Sequence, residues 1–125
     1  MTSRPLDGVR VVDLTHVLAG PYCSYQLGLL GAEVIKVEPL SGDLVRPWKG
    51  TREQVMSGMG TGFMAQNAGK RSLSVDITQP KGSDLVLELA TGADVFLENS
   101  RPGSLARHGL GYAVVAAVHD TVVYA

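Results

Sequence analysis

The sequence has little of what marks several specialised classes of protein. Its single cysteine, Cys23, excludes an internal disulfide and favours a reducing compartment such as the cytoplasm. With 11 basic against 12 acidic residues, it lacks the basic excess by which nucleic-acid-binding proteins hold phosphates. No apolar run reaches the roughly 18 residues of a transmembrane helix, and the N-terminal stretch MTSRPLDGVR lacks the apolar core of a signal peptide. We therefore expect a soluble, cytoplasmic protein that binds neither nucleic acid nor membranes.

The sequence does contain enough apolar material for one folded domain. Its 125 residues are 45% hydrophobic, with a mean hydropathy of +0.12. A chain of this length and composition buries a core of its own and does not remain disordered. We expect residues 1–125 to form one unit.

The first forty residues have the pattern of a strand, a helix and a second strand. Val9–Leu14 and Ala32–Glu38 are apolar at most positions, which is typical of strands buried on both faces of a parallel sheet. Between them we predict a helix over Pro21–Leu30, with Pro21 in its first turn and Gly31 as its stop. Such a unit crosses over right-handed into parallel neighbours.

The same alternation returns after a long aperiodic segment. Residues 40–69 contain several glycines and no clear period, so we predict a long irregular loop there. The elements that follow are predicted as a strand at Arg71–Ile77, a helix at Pro80–Ala90, a strand at Asp94–Glu98, helices at Ser104–Arg107 and Tyr112–Val118, and a last strand at Thr121–Ala125. Repeated strand–helix spacing predicts an α/β, Rossmann-like three-layer domain with a mostly parallel sheet.

The stretch THVLAGPY, at the end of the first strand, lies where α/β proteins place their ligands. A dinucleotide cofactor is one interpretation, because Glu38 ends the second strand where a ribose-binding acid sits. The turn itself reads Ala-Gly-Pro, however, and Pro21 removes an amide that a Gly-rich pyrophosphate loop would supply. We see no His, Cys or Asp cluster with metal-ligand spacing, and expect no metal site.

A second interpretation comes from an ordered set of motifs. These are PLDGVRVVDLTHVLAGPYCSYQLGLLGAEVIKVEP, then Gly-Asp followed by Arg46, then NAGKRSLSVD, ADVFLENSRPG, ARHGLGY and VVYA. In this order and spacing the chain resembles the N-terminal part of the family III CoA-transferases, from Pro5 to Ala125. That group includes formyl-CoA:oxalate and carnitine CoA-transferases and, more distantly, the 2-methylacyl-CoA racemases.

The resemblance implies a binding site for coenzyme A or an acyl-CoA substrate, with no permanently bound cofactor. Val17, Leu18 and Ala19 match a turn along the acyl-pantetheine end, with Leu18 where formyl-CoA transferases have glutamine. The remaining matched positions are Val75, Asp76, Ile77 and Thr78, which hold CoA; Asn99, Ser100 and Arg101, with Ser100 replacing the usual Phe; and Arg107, which contacts phosphate. A further family arginine, after the second strand, is Pro39 here, so that contact is either absent or supplied by Arg46.

The resemblance also implies what catalysis requires. Family III transferases use an aspartate that attacks the acyl-CoA thioester and forms a mixed anhydride, and this aspartate falls beyond Ala125. We therefore assign no catalytic residue and expect a truncated N-terminal segment, ending before the family's second domain, that is inactive alone. Full-length members act on an acyl-CoA and a carboxylic acid acceptor and form interlocked homodimers, so this chain would need a C-terminal partner. The alternatives are a non-catalytic CoA-binding or subunit-interaction module, a racemase-like fragment, and a ligand-free remnant that self-associates.

Overall fold

The computed structural model describes residues 3–125, and within them five strands form one parallel sheet. The strands are β1 Arg10–Asp13, β2 Glu33–Glu38, β3 Arg71–Ser74, β4 Val95–Leu97 and β5 Val123–Tyr124. The helices are α1 Ala19–Leu29, α2 Arg52–Met56, α3 Thr61–Asn67, α4 Pro80–Ala90, α5 Ser104–Arg107 and α6 Tyr112–Val118. Within this range, no helix combines the length and apolar character needed to cross a bilayer.

The strand order is β3-β2-β1-β4-β5, and every neighbouring pair is parallel. At the centre of the sheet, Val12 of β1 pairs with Ile35 of β2 and with Phe96 of β4. The chain therefore moves outward from β1 first to one side and then to the other, as in Rossmann-like folds. The α/β, Rossmann-like prediction is confirmed, and the sheet is parallel throughout the described residues.

Apolar side chains cover both faces of the sheet, which makes the fold three-layered. Val11 and Leu97 point to one face, where they pack near Leu27 of α1. Val12 and Phe96 point to the other face. The core on that second face is completed by residues of α4, α5 and α6, namely Val86, Ala90, Leu105 and Val115. Alternation along each strand thus sends α1 and α4 to opposite layers.

The helix after β1 begins earlier than predicted. α1 starts at Ala19, so Pro21 is its third residue and not its first. The first turn of α1 packs closely on Thr15: a Cβ on Gly20 would lie 2.5 Å from Thr15 Cγ2. Only glycine lets the first turn of α1 approach the end of β1 this closely. The predicted stop is confirmed, because Gly31 follows the helix with a φ of +115°.

The segment 40–69 contains two helices that its aperiodic sequence did not reveal. Thr51 caps α2 through a capping box, in which Thr51 Oγ1 accepts from the Gln54 amide and Gln54 Oε1 accepts from the Thr51 amide. α3 packs against α1 on one face of the sheet. Helices of 5 and 7 residues span two turns or less, too few to display a hydrophobic period.

Candidate functional site

A cleft of about 410 Å³ opens at the carboxyl ends of four neighbouring strands. Its walls are Leu14 and His16 after β1; Val37 to Ser41 at the end of β2; Val75 to Thr78 after β3; and Ser100 and Leu105 after β4. The lining is mostly apolar, with a few polar groups among the loops. A cleft beside the strand where the chain order reverses is the usual ligand position of this fold.

The wall after β3 is held rigidly. The Val75 amide donates to the carbonyl oxygen of Glu38 at 2.9 Å. The Asp76 carboxylate accepts from the Thr78 hydroxyl at 2.6 Å and from the Thr78 amide at 3.0 Å. These two hydrogen bonds hold the pKa of Asp76 below its usual range. Behind the loop, Gly82 of α4 contacts the carbonyl of Asp76, and a Cβ at that glycine would lie 2.7 Å from the carbonyl carbon.

The turn after β1 is clamped to the turn after β4. The Asn99 side chain accepts from the His16 amide at 2.9 Å and donates to the His16 carbonyl at 2.8 Å. Val17, the next residue, has a φ of +73°, which β-branched residues rarely adopt. Asn99, predicted to contact CoA, therefore uses its amide group to join two loops.

Buried charges beneath this turn are all paired. Asp13 accepts from Lys70 Nζ at 3.1 Å and also from the hydroxyls of Thr15 and Ser24. Lys36, 1% exposed, forms an ion pair of 2.9 Å with Asp43. Burial lowers the pKa of Lys70, and the charge of Asp13 partly offsets that effect. Neither aspartate is an accessible nucleophile.

Glu38 and Arg46 form a second closed pair at the end of β2. Arg46 donates through Nε at 2.7 Å and through Nη2 at 2.6 Å to the two oxygens of Glu38. The guanidinium also stacks on Phe63, with its carbon 3.9 Å from the ring centroid. Glu38 further accepts from the Asp43 amide and from Ser72. Burial alone would raise the pKa of Glu38, but Arg46 and these donors hold it below its usual range.

This arrangement bears on two expectations from the sequence. Both oxygens of Glu38 already accept hydrogen bonds from protein donors, so a cofactor ribose would have to displace Arg46, Ser72 or the Asp43 amide. Arg46 is held by Glu38, so its use as the phosphate contact that the resemblance implies at position 39 stays a prediction. Glu38, the ribose-binding acid on which the dinucleotide interpretation depended, is thus already bound by protein donors.

Two other arginines remain in solvent. Arg107 is the last residue of α5, a single turn of four residues, and Arg101 lies in the loop before that helix; both are exposed. Among residues 3–125, no carboxylate lies within 4.0 Å of either guanidinium. Ser100 and Leu105 of the same segment line the cleft, whereas Arg101 and Arg107 are not among its lining residues. Their convergence on one ligand stays a prediction.

The structure brings together five of the eleven sequence-predicted ligand residues. Those that line the cleft are Val75, Asp76, Ile77, Thr78 and Ser100. The other six do not line it: Val17, Leu18, Asn99 and Arg101 lie in the loops after β1 and β4, Ala19 begins α1, and Arg107 ends α5. Sequence reasoning missed the wall formed by Leu14, Val37, Pro39, Leu40 and Leu105. The sequence did contain a signal for the residues at the end of β2. If β1 and β2 are parallel neighbours, their carboxyl ends must lie at the same edge of the sheet.

A parallel sheet in this order, with a cleft across its switch point, defines the chain as an α/β domain of the Rossmann-like type. The sequence model of CoA-transferase family III matches residues 6–125 of this chain. The chain therefore belongs to that family.

Several characterised proteins are similar to it. The mouse succinyl-CoA:glutarate CoA-transferase is 46% identical over 122 residues, which are 97% of this chain and 27% of the mouse protein. The formyl-CoA:oxalate CoA-transferase of a Bradyrhizobium species is 37% identical over 98% of this chain and 28% of its own length. The crystal structure of a CAIB/BAIF family protein from Brucella suis matches with a TM-score of 0.89 and 38% identity, over 98% of this chain and 33% of the other. The chain thus spans about three tenths of the relatives it matches.

Proposed function

We propose that residues 1–125 form the CoA-binding portion of an acyl-CoA:carboxylate CoA-transferase. The observation that carries this proposal is the cleft at the carboxyl ends of β1 to β4. We propose that Arg101 and Arg107, in the segment that contributes Ser100 and Leu105 to this cleft, bind the phosphates. The family and its named CoA-transferases support the reaction class. We propose an acyl-CoA thioester and a carboxylic acid as the substrates, and the cytoplasm as the compartment.

The chemistry of the cleft matches the two halves of coenzyme A. Its mostly apolar walls, including Val37, Ile77 and Leu105, suit the adenine ring and the pantetheine arm. The pyrophosphate and 3′-phosphate need cationic donors, and a guanidinium offers a planar fork that matches phosphate geometry. Arg101 and Arg107 lie in the segment that contributes Ser100 and Leu105 to the cleft, and within the described residues no carboxylate pairs with either.

The transfer itself requires a carboxylate nucleophile. In the route that the resemblance implies, an aspartate oxygen attacks the thioester carbonyl and the carbon–sulfur bond breaks. The CoA thiolate departs, and the aspartate and the acyl group form a mixed anhydride. The thiolate then attacks the aspartyl carbonyl of this anhydride, which releases the donor carboxylate and leaves an aspartyl-CoA thioester. The acceptor carboxylate attacks that thioester to form a second mixed anhydride and free the thiolate, which finally attacks the acceptor carbonyl, giving the acceptor's CoA thioester and the free aspartate.

Asp13 and Asp43 cannot serve as this nucleophile, because each is buried in an ion pair with a lysine. As the resemblance implies, we expect the 125 residues to bind CoA without transferring it, and to need a C-terminal portion for turnover.

Calorimetric titration of CoA into the purified chain tests the binding step. Arg107→Gln should weaken CoA binding about tenfold, the effect expected for loss of one charge-assisted hydrogen bond. Arg71→Gln is the matched control, since Arg71 is also exposed but pairs with Glu33 at the amino edge of the sheet. Absence of CoA binding by the wild-type chain, or NADH binding tighter than CoA binding, would refute the proposal. Adding a separately expressed C-terminal portion and measuring CoA transfer tests the second step.

A further inference from the structure

Val17 has a backbone conformation that its own side chain disfavours. Its φ of +73° lies in the left-handed region, where a β-branched residue is strained. Among residues 3–125, Lys49 is the other non-glycine residue with positive φ, and it lies in an exposed turn. Strain of this kind persists only where the surroundings enforce it, and it concentrates at functional sites.

One buried carboxylate supplies much of that enforcement. The Val17 amide points at Asp43, with its nitrogen 3.3 Å from Oδ1 and 3.4 Å from Oδ2. The Asp43 side chain is fully buried, and Lys36 Nζ lies 2.9 Å from its Oδ2. Lys36 in turn donates to the Thr15 carbonyl at 2.8 Å. Asp43 and Lys36 therefore hold the backbone on both sides of His16.

The charge of Asp43 is secured by its surroundings. Burial alone would raise the pKa of Asp43, but the His16 ring, the Lys36 ammonium and the Val45 amide hold it well below its usual range. His16 Nδ1 lies 3.7 Å from Asp43 Oδ2. The Asp43 amide is fixed separately by Glu38, at 2.8 Å. The carboxylate is therefore ionised and immobile at neutral pH.

The turn that Asp43 shapes borders the cleft. His16 lines the cleft wall, and Leu18 stands 60% exposed two residues later. Asn99 holds the His16 backbone from the opposite side. If Val17 left the left-handed region, His16 and Leu18 would change direction relative to the cleft. Asp43 itself is not among the lining residues, so its influence on a ligand passes through this turn.

We propose that Asp43 is a positioning residue, which holds Val17 in its left-handed conformation so that His16 and the Val17–Ala19 turn meet the acyl-pantetheine arm of a bound CoA thioester. This inference rests on the proposed function for the identity of the ligand. The backbone role of Asp43 does not depend on that function and has its own measurement.

A comparison of two ligands distinguishes a misplaced turn from a general loss of structure in Asp43→Asn. Asp43→Asn should weaken acetyl-CoA binding about fivefold, if about four fifths of the molecules lose the competent turn. Adenosine 3′,5′-bisphosphate, which lacks the pantetheine arm, should bind Asp43→Asn as it binds the wild-type chain. Asp94→Asn is the matched control, since that carboxylate accepts from the Arg10 amide at the amino edge of the sheet.

Substitution of Val17 supplies a rescue. Glycine adopts positive φ without strain, so Asp43→Asn should weaken acetyl-CoA binding much less in a Val17→Gly background than in the wild-type background. If Asp43→Asn does not fold because the Lys36 ammonium is left buried, the same comparison is made in the Lys36→Met/Asp43→Asn background. Equal weakening of both ligands, or no rescue by Val17→Gly, would overturn the positioning role.

A measurement without ligand keeps the two proposals distinguishable. The one-bond Cα–Hα coupling of Val17, measured by NMR, reports the sign of φ. We expect positive φ in the wild-type chain and a shift towards negative φ in Asp43→Asn. A Val17 that stays left-handed in the variant overturns the positioning role even if CoA binds. A wild-type chain that binds neither ligand overturns the proposed function alone.

Discussion

The contact between Gly20 and Thr15 makes a quantitative prediction about the turn that leads into α1. A Cβ placed on Gly20 would lie 2.5 Å from Thr15 Cγ2 and 2.7 Å from Thr15 Oγ1. Carbon atoms at rest are about 3.5 Å apart, so something must move by about 1 Å. Thr15 is buried and donates its hydroxyl hydrogen bond to Asp13, which leaves it little room to yield.

We expect Gly20→Ala to destabilise the chain by about 2 kcal/mol. Overpacking of a buried site costs about 1–3 kcal/mol, and disturbing the Thr15–Asp13 hydrogen bond adds about 1 kcal/mol. The better helix propensity of alanine returns up to about 1 kcal/mol. Urea unfolding followed by circular dichroism measures the difference, and thermal unfolding should show a midpoint about 8 °C lower.

A second glycine in the same helix is the control. Gly28 is also in α1, and a Cβ there would meet only Val34 Cγ2, at an ordinary contact distance of 3.5 Å. Gly28→Ala should therefore stabilise the chain by about 0.5–1 kcal/mol. If Gly20→Ala proved as stable as Gly28→Ala but lost CoA affinity, Gly20 would serve ligand approach and not the packing of α1 on β1.

Two further predictions concern the walls of the cleft. Gly82→Ala places a Cβ 2.7 Å from the carbonyl carbon of Asp76, so it should destabilise the chain by about 1–3 kcal/mol and weaken CoA binding, as unfolding and calorimetry will show. An unchanged CoA affinity would mean that the loop after β3 yields without affecting the ligand. Arg46→Met leaves the buried Glu38 carboxylate without its guanidinium and should cost about 2 kcal/mol at pH 7, below the range for fully buried pairs because Arg46 is 24% exposed. Because Arg46 helps to lower the pKa of Glu38, the unfolded wild-type chain binds more protons in acid, and its stability is complete above about pH 5 and falls below it. Urea unfolding between pH 3 and 6 should show this fall reduced or reversed in Arg46→Met, and an identical fall would contradict the prediction.

The architecture could be predicted from the sequence because it depends on short-range patterns. The apolar runs at Val9–Leu14 and Ala32–Glu38 contain β1 and β2, and α4 has its predicted bounds of Pro80–Ala90. Strand ends were predicted one to three residues too long, most clearly where Arg71–Ile77 contains only the four residues of β3. Val75 to Ile77 leave the sheet because they form the cleft wall.

The candidate site was less accessible, because the partner of a polar residue is decided by long-range contacts. Asn99 and His16 are 83 positions apart, and only the adjacency of β1 and β4 brings them together. A sequence motif can mark Asn99 as functional, but it does not distinguish a ligand contact from a backbone clamp. Arg46 illustrates the same limit, since its pairing with Glu38 follows from the fold of residues 40–69.

The distribution of charge around the cleft makes a prediction about the direction in which CoA would lie. Asp13 and Asp43 beneath the turn after β1 are each balanced by a buried lysine, so this side offers no free cation to a phosphate. Apolar groups and the Val17–Ala19 turn lie there, which suits the uncharged pantetheine arm. Arg101 and Arg107 lie on the β4 side, beyond Ser100. A ligand with phosphates at one end and a thioester at the other is therefore expected to lie across the switch point, with its phosphates towards α5 and its acyl end towards α1. A CoA molecule found in the reverse orientation would require the phosphates to face a turn whose buried lysines are already neutralised.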